Sequence, residues 1–273
     1  VLPVAGRAAA GHPLSEPAPR GGAVRIFTGA PMPAGAAGAG PDTVMMQEDC
    51  REDGHGRVHI LPGIKRGANR RARGEDIATG STILSAGRRL RAQDIGLAAS
   101  VGLSELPVFG SLRVALFSSG DEIREPGADA PPGTVYDANR YALHALLTGL
   151  GCRVTDLGIL PDDATAVRDA LDTAAGAHDL LLCSGGMSVG EEDHMATAVT
   201  AMGHLHFWKL AIKPGRPVAL GQVGRTPFVG LPGNPVAVMV TFLRIARPLI
   251  LRLSGTTDLD PTLYTVTADF EHR

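Results

Sequence analysis

Acidic side chains follow three of the strands that this sequence predicts, each near the point where the strand ends. These carboxylates are Asp121 and Glu122 after the apolar run at Val114, Asp162 and Asp163 after Val154, and Glu191, Glu192 and Asp193 after Leu180. Open parallel sheets bind ligands at the carboxyl ends of their strands, and Mg²⁺ with bound phosphate takes one or two carboxylates. We therefore predict a magnesium and phosphate site at this edge, with a helix N-cap as the alternative role of any single aspartate.

A glycine-rich loop at 184–190 connects the third of these strands to its acidic residues. Because glycine carries no side chain, a ligand can approach the backbone closely there, and successive N–H groups can face an anion. The loop has neither the Walker A nor the GxGxxG pattern, so by itself it is a weak signal.

A predicted helix begins at Leu231-Pro232-Gly233-Asn234-Pro235, where Asn234 can cap the helix and Pro235 suits its first position. The free amides and the dipole of a helix start attract anions. An ordinary helix start without a ligand is the alternative interpretation.

Lys209 and Lys213 stand four residues apart in a chain that has three lysines among its 26 basic residues. On either a helix or a strand, that spacing places both ammonium groups on about the same side. Surface solubility is the usual role of lysine, but the scarcity of lysine in this chain favours an anion site.

Several common catalytic and metal-binding patterns are missing from the sequence. The nine histidines form no HExxH motif, the three cysteines form no CxxC pair, and no GxSxG elbow surrounds Ser118. These observations argue against a zinc hydrolase and a disulfide framework. The sparse cysteines fit a reducing cytoplasm.

The composition excludes further classes of protein. The 273 residues carry a formal net charge of −2 and are 44% hydrophobic, which provides a core but no basic field for non-specific nucleic-acid binding. The most apolar stretch, 236–253, is interrupted by Arg244, Arg247 and Pro248, so we expect no membrane span. The sequence starts at Val1 without a basic signal-peptide region, and we expect it to begin inside a longer gene product.

The elements that must position these residues alternate between strands and helices from Leu112 onward. Strand-like runs lie at 114–117, 154–157 and 180–183, and helical patterns lie at 143–150, at 164–175 and after Asn234, where Val236, Met239, Val240 and Leu243 share one face. Such alternation predicts an α/β fold with a mainly parallel sheet covered on both faces. A short helix is also predicted at 93–101.

The first seventy residues are instead rich in glycine and proline. Strand-like runs at 24–27, 43–46 and 58–61, separated by turn residues, predict a small β-rich domain ahead of the α/β domain. Another strand-like run, 263–268, lies near the end of the sequence.

Six motifs occur in one order along the chain. They are Arg25-Ile26-Phe27-Thr28-Gly29-Ala30-Pro31, Gly74-Glu75-Asp76-Ile77, Ser119-Gly120-Asp121-Glu122, Ser184-Gly185-Gly186-Met187-Ser188-Val189-Gly190-Glu191, Lys213-Pro214-Gly215-Arg216-Pro217 and Leu231-Pro232-Gly233-Asn234-Pro235. Each motif alone is weak, but the ordered set resembles the molybdopterin molybdenumtransferase family, whose animal relative is the gephyrin E domain. The resemblance extends over about residues 2–255.

The resemblance implies a cytoplasmic enzyme of molybdenum cofactor biosynthesis. Family members insert molybdate into adenylylated molybdopterin with Mg²⁺ and release AMP; they are elongated homodimers that receive their substrate from molybdopterin adenylyltransferase. Residues 1–73 then resemble a lid-like β-rich domain and 74–110 part of a linking α/β domain. Residues 111–254 resemble a three-layer, molybdopterin-binding catalytic domain, and 255–273 the start of a C-terminal β domain.

The matched motifs also imply roles for individual residues. The implied catalytic residues are Thr28, Asp76, Glu122, Asp193, Lys209 and Lys213. The implied metal ligands are Glu122, Asp162 or Asp163, and Asp193. The implied substrate-binding residues are Ser184, Gly185, Gly186, Ser188, Gly190, Pro232, Gly233, Asn234 and Pro235.

The chain also departs from the family pattern. The family's Ser-Ala-Met-Asp-Gly-Tyr-Ala segment and most of its C-terminal domain have no counterpart here, and His194 stands where the family often has an aromatic residue. Two alternative functions are a molybdopterin adenylyltransferase, whose α/β domain is similar, and a non-catalytic scaffold like gephyrin. The motifs at 25–31 and 74–77 favour the molybdenum-inserting enzyme, because the adenylylating enzyme lacks such domains.

Overall fold

The computed structural model describes residues 1–36, 38–185 and 194–270, without the side chains of 207–209. Its internal contacts divide the chain into two compact units, Val1–Ile83 and Leu84–Arg273. Each unit has its own sheet, and the units are described separately below. No helix within the described ranges is long and apolar enough to cross a membrane.

The first unit is built on a four-stranded sheet with the order β2-β1-β4-β3. Its strands are β1 (Leu2–Ala8), β2 (Ala23–Ile26), β3 (Cys50–Glu52) and β4 (Arg57–Ile60). Strands β1 and β2 are parallel, whereas β4 is antiparallel to both β1 and β3. The predicted small β-rich domain is therefore confirmed.

One predicted strand of the first unit is wrong. Residues 43–46 form no strand, because the backbone at Val44 bonds to a loop instead of a ladder. Its N–H donates to the carbonyl of Ala68 at 3.1 Å, and its carbonyl accepts from Asn69 Nδ2 at 2.8 Å.

The second unit contains a six-stranded, mainly parallel sheet with the order β10-β11-β12-β9-β5-β8. In chain order the strands of this unit are β5 (Arg113–Ser119), β6 (Ile123–Arg124), β7 (Val135–Tyr136), β8 (Arg153–Leu160), β9 (Leu180–Ser184), β10 (Gly203–Lys209), β11 (Pro217–Val223) and β12 (Thr226–Leu231). Strands β8, β5, β9 and β12 run parallel, and β11 is antiparallel to both of its neighbours. The short strands β6 and β7 form a separate ribbon.

Helices cover both faces of this sheet. The helices of the unit are α1 (Ala92–Ser100), α2 (Ala138–Gly149), α3 (Ala164–Ala177), α4 (His194–Met202), α5 (Pro235–Thr241) and α6 (Arg247–Leu253), with a π-helical segment, Phe242–Ala246, between the last two. The alternation of side chains along a strand sends Val114 and Leu116 toward α2 and α5, and Ala115 and Phe117 toward α3 and α4. The predicted three-layer α/β fold is confirmed.

The face of the helix after Asn234 that carries Val236, Met239 and Leu243 is not its buried face. Val236, Met239 and Leu243 are exposed, whereas Val238 and Phe242 pack against the sheet. The helix is apolar around most of its circumference, so its sequence periodicity does not distinguish the inner face from the outer one.

The predicted strand at 263–268 is also wrong, since the residues there form no regular element. Leu263, Tyr264 and Val266 are 76–80% exposed. A strand is stabilised by a partner strand and a packed face, and the described residues provide neither for this segment.

Helix α1 begins at a buried carboxylate whose ionisation affects stability. Asp94 accepts hydrogen bonds from Arg88 Nη2 at 2.7 Å and from the N–H of Arg91 at 2.9 Å. The hydrogen bond from Arg88 is the main reason that the pKa of Asp94 falls to about 2.

We predict a pH-dependent loss of stability when Asp94 is replaced by Asn. Because its folded pKa lies below the unfolded value of about 3.9, the contribution of Asp94 is present above pH 4 and disappears as the pH falls toward 2. The melting temperature of the Asp94→Asn variant should lie below that of the wild type at pH 7, and the two should converge between pH 4 and 2. A constant difference across that range would contradict the assignment.

Candidate functional site

The carboxyl ends of four parallel strands meet at one edge of the six-stranded sheet. Ser184, at the end of β9, is level with Leu231 of β12 and with Ser118 of β5, and Ser119 is level with Leu160 of β8. Strand β5 connects onward to β8 on one side of the sheet, whereas β9 connects toward β10 on the other. The crevice between β5 and β9 is therefore the topological switch point, where ligands of open α/β sheets bind.

The loop after β5 brings a carboxylate to this crevice. Glu122 is exposed, and its carboxylate folds back over Gly120, so that a Cβ added to Gly120 would lie 2.6 Å from Glu122 Oε2. The carbonyl of Glu122 accepts a hydrogen bond from the N–H of Val135 at 2.8 Å, which ties the loop to β7. Glu122 thus lies on a loop that is tied to β7 at the switch point, and its role as a catalytic or metal-binding group stays a prediction.

The loops after β9 and β12 are bonded to each other. Ser184 Oγ donates to the carbonyl of Pro232 at 3.3 Å, and the N–H of Gly185 donates to the carbonyl of Leu231 at 3.2 Å. A Cβ added to Gly233 would lie 3.9 Å from Gly185 Cα. The two predicted anion-binding segments therefore share one surface beside Glu122.

The expected free amides at the start of α5 are not present. Asn234 Oδ1 accepts from the N–H groups of Val236 at 3.0 Å and Ala237 at 3.1 Å, and the carbonyl of Asn234 accepts from Val238 at 2.9 Å. Since Pro235 has no N–H, the first turn is fully capped. An anion at this helix start would depend on the dipole and not on free donors.

Gly185 can be replaced only at a cost to this surface. Its φ is +79°, and an added Cβ would lie 2.6 Å from the carbonyl oxygen of Ser119. We predict that Gly185→Ala destabilises the chain by about 1–3 kcal/mol, the usual cost of a left-handed non-glycine residue. The matched control is Gly96→Ala in α1, where an added Cβ meets nothing within 4 Å. This control should raise the free energy of unfolding by about 1 kcal/mol, because alanine favours a helix more than glycine does. Urea denaturation measures both, and equal effects would contradict the prediction.

The remaining described residues predicted for the second unit lie at or just after the ends of strands at the same edge. Asp162 is exposed, and Asp163 caps α3 by accepting from the N–H of Ala166 at 2.8 Å. Lys209 ends β10, which runs in the same direction as β12, and Lys213 is exposed on the following loop. The expectation that the two lysines share one helix or strand is therefore wrong. Gly186, Ser188, Gly190 and Asp193 lie outside the described residues.

The two predicted catalytic residues of the first unit are both exposed. Thr28 lies in a turn in which the N–H of Ala30 donates to the carbonyl of Phe27 at 3.0 Å. Asp76 forms an ion pair with Arg71 at 2.8 Å. Both residues stay predictions as catalytic groups.

Two family models match consecutive parts of this chain. Residues 2–102 match the MoeA N-terminal region, domains I and II, and residues 115–252 match a probable molybdopterin-binding domain. The chain belongs to the MoeA family. The second match covers the sheet and the crevice described above, and the first covers the small β-rich unit.

Relatives and solved structures agree with the MoeA assignment. The chain is 42% identical to a molybdopterin molybdenumtransferase of Haemophilus influenzae over 93% of this chain and 62% of that protein, and 36% identical to one of Nostoc over 86% and 53%. Two structures of the MoeA protein of Pyrococcus horikoshii match with TM-scores of 0.73 and 0.75, at 31% and 25% identity, over 93% and 94% of this chain and 62% of each of those chains. This chain thus spans about half to three-fifths of the length of these relatives.

A buried arginine, Arg140, holds segments next to the crevice between β5 and β9, and the sequence analysis did not predict it. Its guanidinium pairs with Asp137 at 3.0 Å and also with Asp156 and Glu125. Burial lowers the pKa of Arg140, but its hydrogen bonds with Asp156 and Asp137 outweigh burial and raise it. Glu125 follows β6 and Asp137 caps α2, so Arg140 fixes both segments next to the Glu122 loop. The capping pattern at 137–140 was the available signal.

Two further polar residues near the crevice between β5 and β9 were not predicted from the sequence. Asn139 Nδ2 donates to the carbonyl of Gly233 at 2.8 Å and so joins α2 to the loop before α5. Ser118 is 2% exposed, and its Oγ has no hydrogen-bond partner among the described residues. A buried hydroxyl of this kind is a common feature of functional sites, and here it stands at the switch point.

No complete metal site is visible among the described residues, where no three His, Cys, Asp or Glu side chains cluster closely enough to hold an ion. The oxygen donors that face the crevice are of the type that Mg²⁺ prefers. Asp193, another predicted ligand, lies outside the described ranges. The magnesium site stays a prediction.

Proposed function

We propose that the protein carrying this chain inserts molybdenum into molybdopterin. It would take adenylylated molybdopterin and molybdate, with Mg²⁺, and produce molybdenum-loaded molybdopterin and AMP. The observation that carries this proposal is the joint match of residues 2–102 and 115–252 to the two MoeA-family regions. The location of Glu122 and the two glycine-containing loops at the switch point supports it.

The proposed chemistry follows from charge. Molybdate and the pyrophosphate of the adenylylated pterin are anions, and Lys209, Lys213 and the loop that begins at Gly185 would offset their charge. Glu122, with Asp162 or Asp163 and Asp193, would hold Mg²⁺, which when bound polarises the pyrophosphate as a Lewis acid. Asp163 retains one carboxylate oxygen for this purpose, because Oδ1 caps α3.

The chain itself contributes position more than reactive groups. Glu122 is held by its backbone bond to Val135, and the loops at Gly185 and Gly233 lie against each other. AMP is released when an oxygen of water bonds to one phosphorus of the pyrophosphate bridge and the P–O bond from that phosphorus to the bridging oxygen breaks. The bridging oxygen leaves with the other phosphoryl group, so AMP and the phosphate of molybdopterin separate. Positioning of these groups supplies a large share of catalysis in phosphoryl chemistry.

Isothermal titration of the full-length gene product with adenylylated molybdopterin tests the proposal. We expect binding that strengthens with Mg²⁺ and molybdate, together with the release of AMP. A molybdopterin adenylyltransferase would instead consume ATP and unmodified molybdopterin and release pyrophosphate. The match to the MoeA N-terminal region favours the first outcome, and a complete lack of binding to the adenylylated pterin would contradict the proposal.

We also propose a cytoplasmic homodimer that receives its substrate from a molybdopterin adenylyltransferase, with no nucleic-acid or membrane partner. The family match and the formal net charge of −2 support this assignment. Sedimentation of the purified protein measures the oligomeric state, and a monomer at micromolar concentration would contradict it.

Lys213 should affect the use of molybdate. We predict that Lys213→Ala raises the molybdate concentration needed for half-maximal AMP release about tenfold, the usual effect of losing one charged hydrogen-bond donor. Lys65→Ala, which removes an exposed lysine of the first unit, is the matched control and should leave that concentration unchanged. The same molybdate dependence in both variants would exclude a role for Lys213.

A further inference from the structure

Two arginines of the first unit lie side by side on neighbouring strands. Arg7 of β1 and Arg25 of β2 are directly level in the parallel ladder, so their side chains leave the same face of the sheet. Both are exposed. Like charges in this position repel each other and destabilise the strand pair, which raises the question of what offsets them.

The described partners of these arginines offset little of that charge. Arg25 Nη1 lies 3.8 Å from Glu52 Oε1, and both side chains are more than half exposed, so this ion pair is weak. Arg7 has no carboxylate within ion-pair distance among the described residues. Two positive charges are therefore held together on an open surface.

A single aromatic ring orients both guanidinium groups. Phe27, two residues after Arg25, has the Arg7 guanidinium 4.6 Å and the Arg25 guanidinium 5.4 Å from its ring centre. Stacking on a ring fixes a guanidinium plane and leaves its edge N–H donors free for a ligand. The adjacent turn, with Gly29 at φ +82°, presents the exposed Thr28 immediately beyond the ring.

We propose that Arg7 and Arg25 form a binding site for a dianionic phosphoryl group. Two forked donors on one surface match the oxygens of a phosphate in number and geometry, and a dianion would remove the repulsion that the strand register creates. This inference goes beyond the proposed function, which assigns no role to Arg7 or Arg25. It rests on the residues of the first unit alone.

Side-chain NMR of the intact chain tests this proposal. The Nε–Hε signals of Arg7 and Arg25 are assigned by their loss in Arg7→Gln and Arg25→Gln. Inorganic phosphate and AMP, the free and esterified forms of the group, are each titrated at constant ionic strength, with nitrate as the monoanion control. We expect both signals to shift together and to saturate with phosphate and with AMP, but not with nitrate.

The variants decide whether the two arginines act together. In Arg7→Gln the phosphate affinity read at Arg25 should fall at least tenfold, and the reverse should hold for Arg25→Gln. Arg51→Gln, which removes an exposed arginine of β3 in the same sheet, should leave the affinity unchanged.

Several results would overturn the assignment. These are absent or unsaturable shifts, an affinity at one arginine that does not depend on the other, and shifts with nitrate as large as those with phosphate. If a glutamine variant fails to fold, Arg25→Lys replaces it; this variant keeps the charge but loses the fork. It should bind phosphate several-fold more weakly, and wild-type affinity would contradict a forked contact. Because no reaction is measured, failure here leaves the proposed function unaffected.

Discussion

Replacement of Glu122 by Gln should lower AMP release by about 10²–10³-fold, the usual effect of losing one electrostatic contact made in the transition state. The substitution preserves the shape of the side chain and removes its charge. Because Glu122 is exposed at the switch point and its loop is bonded to β7, we expect the fold and the binding of adenylylated molybdopterin to persist. AMP is quantified by chromatography with the full-length gene product, and pterin binding by titration.

Asp121→Asn is the matched control, since it neutralises the neighbouring exposed carboxylate of the same loop. Asp121 contributes its carbonyl to Arg124, an interaction that the amide variant keeps. We expect close to wild-type AMP release from this control. Wild-type turnover in both Glu122→Gln and Asp193→Asn would show that neither carboxylate takes part in the chemistry.

The sequence predicts the sheet well because its central strands are buried on both faces. Leu180, Leu181 and Leu182 are fully buried. In a chain that alternates strands and helices, a short continuous apolar run between turn residues is typical of a strand that is buried on both faces. Once the parallel order is expected, the rule for ligand sites places Glu122 and Gly185 at one edge without further information.

The errors arise where a local pattern has more than one solution. Helix α5 is apolar on both its buried and exposed faces, so the shared face of Val236 and Met239 in the sequence does not identify Val238 as the core residue. The spacing of Lys209 and Lys213 implies a shared face only within one regular element, and a loop begins between them, closed by a hydrogen bond from Leu210 to Arg216 at 2.7 Å.

Interactions distant in sequence are the other source of omissions. The partners of Arg140 include Glu125 and Asp156, which lie 15 and 16 residues away, and no local motif connects them. The orphaned hydroxyl of Ser118 is likewise a property of its surroundings. Such groups emerge only when the strands that carry them are assembled.

Removal of the charge at Arg140 should be the most destabilising of the substitutions considered. Arg140→Met preserves much of the side-chain volume but leaves three carboxylates, those of Glu125, Asp137 and Asp156, without their shared cation. Asp137 is 3% exposed, and an unpaired buried charge costs about 3–5 kcal/mol. Urea denaturation measures the loss, and Arg168→Met, at an exposed arginine of α3, is the control, with an expected change below about 0.5 kcal/mol.

The pH dependence of the Arg140→Met effect separates lost charge pairing from lost packing. Burial raises the pKa of Asp156, but its hydrogen bond with Arg140 outweighs burial and holds the pKa below the usual value. The stability from this pairing is therefore present above pH 4 and is lost as the pH falls below the unfolded carboxylate pKa of about 3.9. The difference in the free energy of unfolding between wild type and Arg140→Met should become smaller below pH 4 if charge pairing dominates. A difference that stays constant down to pH 3 would instead show that the loss comes from packing of the arginine stem.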